Sequence, residues 1–307
     1  MLLGSCYVAL ESSSAGAAPE NGCFSNISTM TSERRLLRLA TYMCPSLPVE
    51  YYEFLADYLE TELNLRTVLL YDSRRPGPDS QRGDEERIDM AFVRTSTYIE
   101  KFRSSNKFKL LPASAATKHP VRGEVHGYFA DIVVHRDVRN RVKEFLDLRG
   151  CKYAYASENS ISSARQVLLT LKQMGENASF FSDIQASGNH MNSLEMVVAK
   201  KAEAAAVDSI ALTNYLNRFY YQKAELHLQE SWGPLPPHPI LVNTNLPDEI
   251  QGQIERALLE LHNKRRWAEQ LASFGVTRFC KTSSDIYFEA VELMENTKSL
   301  SLGITYY

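Results

Sequence analysis

The stretch Lys152-Tyr153-Ala154-Tyr155-Ala156-Ser157-Glu158-Asn159-Ser160-Ile161-Ser162-Ser163 decides the fold class. Residues 153–155 read as a short strand. Asn159 to Ser163 is a cluster of helix-capping residues. Val167, Leu168, Leu171 and Met174 follow at helical spacing, and Ser163 and Gln166 stand at capping-box separation. Asn192 and Glu195 repeat that separation ahead of Val197 and Val198, and residues 204–207 then form a strand of small residues ending at Asp208-Ser209. Strand, turn and helix alternate, so residues 150–230 form an α/β block.

The same alternation extends outward. Residues 36–42 are apolar enough for a strand. Pro48 stands where a first helical turn tolerates its missing N–H, and Tyr52, Leu55, Ala56, Leu59 and Leu63 make a helical face. Residues 67–71 complete a β-α-β unit, which implies parallel strands and a crossover helix. Residues 74–87, with Pro76, Gly77, Pro78 and Gly83, read as an exposed loop. Strands are expected at 88–93, 108–112 and 128–135. Downstream, Pro234, Pro236, Pro237 and Pro239 stiffen a segment that leads into strand-like 240–242. Ile250, Ile254, Ala257, Leu258 and Leu261 mark one further helix, and Ile286, Ala290 and Leu293 the last.

The chain has 307 residues, room for about two compact units. A formal net charge of -3 leaves no basic footprint for nucleic acid, and no run of eighteen apolar residues spans a bilayer. Cys6, Cys23, Cys44, Cys151 and Cys280 are odd in number and scattered, which argues against a disulfide framework and a zinc site. No cofactor or metal motif is read. Residues 1–35 are expected to be a poorly ordered tail rich in Ser, Ala and Asn. Leu3-Gly4-Ser5-Cys6 lacks a preceding basic region, and its apolar stretch ends by Leu10, so a cytoplasmic location is expected.

Five segments can carry chemistry. Ser160-Ile161-Ser162-Ser163 begins a helix, where unpaired N–H groups and hydroxyls suit an oxyanion; the same cluster alone also reads as a plain cap. His190, in Ser187-Gly188-Asn189-His190-Met191-Asn192-Ser193, stands near another helix start. It is a donor to an oxyanion, favoured in its charged form, or else a capping histidine. Asp208 ends a strand on the side where open α/β sheets bind ligands, and serves equally as a helix cap. Tyr42-Met43-Cys44-Pro45-Ser46 and Arg94-Thr95-Ser96-Thr97-Tyr98 follow first-half strands and offer hydroxyls. Arg94 adds a charged fork, or is a solvated surface arginine.

Taken together, these segments resemble the phosphate/phosphite/phosphonate substrate-binding proteins of bacterial ABC transporters, the phosphonate-binding-protein-like group. The resemblance runs from about residue 36 to 296, through Leu39-Ala40-Thr41-Tyr42, Asp89-Met90-Ala91-Phe92-Val93, Tyr128-Phe129-Ala130-Asp131-Ile132-Val133-Val134 and Leu148-Arg149-Gly150, and then through the Ser160, His190 and Asp208 segments. It implies an α/β, two-lobed type II periplasmic-binding-protein fold with a cleft between the lobes and two hinge crossings. The crossings fall near 128–134 and 236–242. Lobe 1 is then 36–127 plus 238–307, and lobe 2 is 128–237. The resemblance also implies oxyanion contacts from Ser160, Ile161 through its N–H, Ser162 and His190, with Asp208 at the cleft and Tyr42, Thr95 and Tyr98 on the first lobe. This chain departs from the pattern at Ser163 and at Arg94-Thr95-Ser96-Thr97, where relatives carry glycine or small residues.

The implied function is a solute-binding protein that closes on a small oxyanion by hinge motion and makes no bond. Its partners are that ligand and, if the protein is exported, an ABC transporter permease. Two alternatives remain at the level of sequence. One is an enzyme on the same fold that uses Cys44 and His190. The other is a ligand-controlled interaction module with no transporter.

Overall fold

In a computed structural model, the described residues are 34–42, 47–72, 75–83 and 87–303. Most of the expected tail (1–33) and the Cys44 segment (43–46) lie outside them.

Thirteen strands are seen among the described residues. They are β1 Leu36–Thr41, β2 Arg66–Tyr71, β3 Met90–Phe92, β4 Phe108–Leu110, β5 Ala113–His119, β6 Gly123–Val125, β7 Tyr128–His135, β8 Lys152–Tyr155, β9 Asp183–Ala186, β10 Ala204–Asp208, β11 Leu226–Leu235, β12 Ile240–Asn243 and β13 Val276–Lys281. The main helices are α1 Val49–Leu63, α2 Gln166–Gln173, α3 His190–Val198, α4 Ser209–Arg218, α5 Asp248–Glu260, α6 Arg265–Ser273 and α7 Phe288–Asn296.

The strands form two five-stranded sheets, β2-β1-β3-β12-β4 and β11-β7-β10-β8-β9, and a three-stranded sheet, β13-β5-β6. The β1-α1-β2 unit is parallel, with Leu36 opposite Arg66 and Thr41 opposite Tyr71. Tyr51, Tyr52, Phe54, Leu55, Tyr58 and Leu59 bury one face of α1. That helix is tied to α5 by Tyr58, whose hydroxyl donates to the Ala257 carbonyl at 2.6 Å. In the second sheet, β10 runs parallel to β8 and antiparallel to β7. All eight residues of β7 and all five of β10 are buried, which accounts for their mostly apolar or small-residue character; Asp131 and His135 in β7 and Asp208 in β10 are the buried exceptions.

Three features differ from the sequence reading. The three-stranded sheet was not expected; its strands carry Ala, Thr, Lys and Arg in place of a clean apolar run. β7 lies wholly within the second sheet, so the chain passes between sheets just ahead of it, around Gly127. The return passage is Pro236–Pro239, between the end of β11 and the start of β12. The two passages touch: Gly127 has φ +141°, and a Cβ there would stand 2.1 Å from the Leu235 carbonyl oxygen. The third difference concerns the C-terminal segment, expected to belong wholly with the first sheet. Tyr287 packs among Ala40, Tyr42, Ala91 and Tyr98 of the first body, but Leu302 is buried in the core of the second, among Tyr155, Leu168 and Leu171. Between them, Leu293 meets Tyr128, Ile161 and Ile210. Polar bonds hold the segment down. Arg165 Nη1 donates to the Thr297 carbonyl at 2.9 Å, and the Glu158 carboxylate accepts from the Gly303 N–H at 2.9 Å and the Ser301 hydroxyl at 3.1 Å.

Candidate functional site

Three helix starts of the second body converge. After β8, Ser160 caps a five-residue π-helical turn, Ile161–Arg165, that continues into α2; its Oγ accepts from the Ser163 N–H at 3.2 Å. The cap is therefore Ser160, three residues before the Ser163 of the expected capping box. Ser163 instead accepts from the Ala156 N–H at 3.1 Å and pins the turn to β8. The N–H groups of Ile161 and Ser162 belong to a first turn, which has no carbonyl one turn back to bond. Asn189 caps α3 by accepting from the Asn192 N–H at 2.8 Å, which places His190 as the first helical residue. Asp208 caps α4, its Oδ1 accepting from the Ile210 N–H at 2.8 Å.

Together these starts line a cavity of about 20 Å³ with Ser160, Ile161, Ser162, His190 and Asp208. Its opposite wall is Arg94, Thr95 and Ser96, just after β3, and Tyr128 and His238 complete it. Two polar atoms of that opposite wall, Arg94 Nε and Thr95 Oγ1, are buried with no hydrogen-bond partner among the described residues. Buried donors without partners are uncommon, and here they stand at the cavity wall.

His238 and Asp208 are coupled. A carboxylate only accepts, so His238 Nε2 donates to Asp208 Oδ2, at 3.0 Å, while its ring stacks on Tyr128 with centroids 4.7 Å apart. Asp208 is thus both a helix cap and a residue of the cavity lining. His190 is completely buried, and burial pushes its pKa down to about 4, with Asp208 opposing the shift and Arg94 and His238 adding to it. Its Nδ1 accepts from the Asp208 N–H at 3.4 Å, so the neutral ring carries its proton on Nε2. In the ligand-free protein desolvation therefore keeps the imidazole neutral, and it is still a donor through Nε2.

Of the residues expected at the site, Ser160, Ile161, Ser162, His190, Asp208 and Thr95 line this cavity, and Tyr42 and Tyr98 do not. Both tyrosines are buried in the apolar cluster beside the first sheet, where Tyr98 packs on Tyr287 at 4.9 Å. The sequence reading passed over Ser96, Tyr128 and His238 and left Arg94 open. The signal for His238 was its place in Pro236-Pro237-His238-Pro239, where three prolines fix the backbone that presents it. Cys44, proposed as a nucleophile, lies outside the described residues. Cys151 and Cys280 are free thiols whose pKa values are raised, chiefly by burial.

The family described as "ABC transporter, phosphonate, periplasmic substrate-binding protein" matches residues 41–287. The chain belongs to this family. Solved structures agree on the fold. PhnD1 of Prochlorococcus marinus, in complex with methylphosphonate, superposes with a TM-score of 0.68 at 13% identity, over 87% of this chain and 99% of that one. A binding protein component of an ABC phosphonate transporter from Pseudomonas aeruginosa gives 0.69 at 12% identity, over 86% and 87%. XAC2383 of Xanthomonas citri, bound to ATP, gives 0.58 at 16% identity, over 86% and 97%. No curated protein matches. This substrate-binding protein has the type II periplasmic-binding-protein fold, and its family binds solutes without chemistry, so the alternative of a Cys44/His190 enzyme falls away. The cytoplasmic location expected from the N-terminus is also corrected, because the family is periplasmic. Among the described residues no helix is long and apolar enough to cross a membrane.

Proposed function

We propose that this protein captures a small oxyanion (phosphate, phosphite or a phosphonate) in the cavity between its two bodies and presents it to an ABC transporter permease. In this reading the lobes are 36–127 with 238–296, and 128–237, and they close over the ligand. The observation that carries it is the cavity itself: first-turn N–H groups and hydroxyls at Ser160–Ser162 face Arg94 and Thr95, whose buried Nε and Oγ1 have no partner among the described residues. A helix start favours negative charge, and Arg94 supplies a fixed positive one. The neutral His190 adds a donor from Nε2.

Calorimetry with methylphosphonate, phosphite, phosphate and sulfate tests the site. Ser160→Ala and Ser162→Ala, each removing a hydrogen bond to a charged ligand, are expected to weaken binding by about 1.5–3 kcal/mol. Arg94→Gln is expected to cost at least as much. Unchanged affinity of a proven ligand in all three variants rejects this site.

A further inference from the structure

A second polar cluster lies away from the cavity, where the chain leaves the three-stranded sheet for the second body. β5 is anchored in the first body: Ala113, at its start, is buried in one core with Leu37, Leu39 and Tyr52, as are Val276 and Phe279 of its partner β13. The far end of β5 reaches the second sheet. His119, its last residue, is buried there with Asp131 of β7. His119 Nδ1 accepts from the N–H groups of Val121 and Arg122, at 3.2 and 3.0 Å, so the ring proton is on Nε2. That N–H donates to the Asp131 carboxylate, 3.2 Å from Oδ1 and 3.3 Å from Oδ2. Ser231, opposite Asp131 on β11, donates to the same carboxylate, and its Oγ stands 3.3 Å from His119 Nε2. The His119 ring also packs on Phe129, with centroids 4.8 Å apart.

Burial works against this arrangement. Desolvation raises the Asp131 pKa, opposed by the His119 and Ser231 bonds, and well-packed apolar side chains would fill the same space without that penalty. What the polar cluster supplies is direction. Apolar surfaces slide over each other, whereas a hydrogen bond fixes distance and angle. The bonds join β5 to β7 across the first passage, and the Thr117 hydroxyl, donating to the Gly127 carbonyl at 2.6 Å, holds the passage itself. From Asp131 the path to the cavity is short. Tyr128, three residues earlier on β7, lines it; Ala130 pairs with Asp208; and the Phe129 N–H donates at 3.0 Å to Ser209 Oγ, at the start of α4. We infer that His119, Asp131 and Ser231 form the fixed joint of the hinge and are positioning residues for the ligand: they set the angle between β5 and β7, and with it the spacing of Arg94 and Thr95 from Ser160 and Ser162 across the cavity.

The inference rests on the oxyanion reading of the small cavity, and its test keeps the two apart. Affinity for methylphosphonate, phosphite and phosphate is measured by calorimetry on the intact protein, on Asp131→Asn, on Asp131→Ala and on the double variant His119→Leu/Asp131→Leu, each well below its melting temperature. An asparagine still accepts from His119 Nε2 and donates to Ser231, so it keeps the geometry without the charge, and affinity is expected to stay within about threefold. The double variant replaces the pair with apolar groups, and the N–H groups of Val121 and Arg122, in an exposed turn, bond to water instead. It is expected to melt no lower than Asp131→Ala and yet to bind about tenfold more weakly than the intact protein, or worse. Should the double variant fail to fold, Asp131→Ala carries the comparison with Asp131→Asn. If the variants that lose the bonds bind a ligand of the intact protein with unchanged affinity, the cluster serves stability alone and the inference is overturned. If Asp131→Asn loses as much affinity as Asp131→Ala, charge and not bond direction is what matters, and the inference is overturned equally. If the intact protein binds none of the three anions, the oxyanion reading fails and the inference with it.

Discussion

His190 shows how burial sets the chemistry of one side chain. Its folded pKa of about 4 lies below the ordinary histidine value of 6.5. Between those two pH values the unfolded chain binds more protons than the folded one, so this residue's contribution to stability falls as pH falls. The loss is expected to reach about 2 kcal/mol between pH 6.5 and 5, and urea unfolding of wild type and His190→Gln at both pH values reads it as a slope that the variant lacks. For the ligand the same fact predicts the opposite of a charged-histidine site. Affinity for a non-titrating oxyanion such as sulfate, where it binds, is expected to stay flat from pH 5.5 to 8; a rise towards low pH through that range would mean that the ring charges in the complex.

At the scale of the element, the sequence was legible where a segment does one thing. β7 and β10 are buried on both faces and read as mainly apolar or small-residue runs, despite Asp131 inside β7. The helix starts after Asn159 and at Asp208 read as capping segments because capping chemistry is local, but the caps expected at Ser163 and Asn192 fall three residues earlier, at Ser160 and Asn189. What was illegible depends on distant contacts. β5, as Ala113-Ser114-Ala115-Ala116-Thr117-Lys118-His119, acquires its role by pairing with β13 more than 150 residues away. Tyr42 and Tyr98 stand near loops that face the cleft, but Tyr287, contributed from the far end of the chain, draws Tyr98 into a core shared with Tyr42. His238 was masked by its prolines, although those prolines place it. The passage at Gly127 is similar: the sequence shows a glycine, and only the neighbouring Leu235 carbonyl explains it. Gly127→Ala adds a methyl group at 2.1 Å from that oxygen, in a backbone region side chains rarely adopt, and is expected to cost about 2–4 kcal/mol in urea unfolding. A cost below about 0.5 kcal/mol would show that the two passages separate freely.

For the whole molecule, closure and the C-terminal segment pull on the same geometry. Residues from both bodies line the small cavity, and His238 on the return passage bonds Asp208 of the second sheet. Opening must break that arrangement, so ligand is expected to shift the protein towards the compact form and lower its radius of gyration in small-angle scattering. The segment from Tyr287 to Leu302 bridges the bodies independently of ligand. Leu302→Ala is expected to destabilise the protein by about 2–4 kcal/mol through the cavity it leaves in the second core, with the loss read from chemical denaturation. Arg165→Met is expected to loosen the same segment without touching the small cavity's own side chains, and to raise amide exchange at Leu300 and Leu302 first.

The position of Leu302 also bears on how the molecule is made. The last strand of the second sheet leaves the ribosome's catalytic centre at Leu235, yet the residue that closes that sheet's core is among the last of the described chain. At elongation rates of about 5–20 residues per second, several seconds separate the two events. During that interval the nascent second body has all its strands and an unfilled gap at Tyr155, Leu168 and Leu171. Its core is complete only once Leu302 is in place, and a chain cut just before Leu302 would carry every strand with the second core still open.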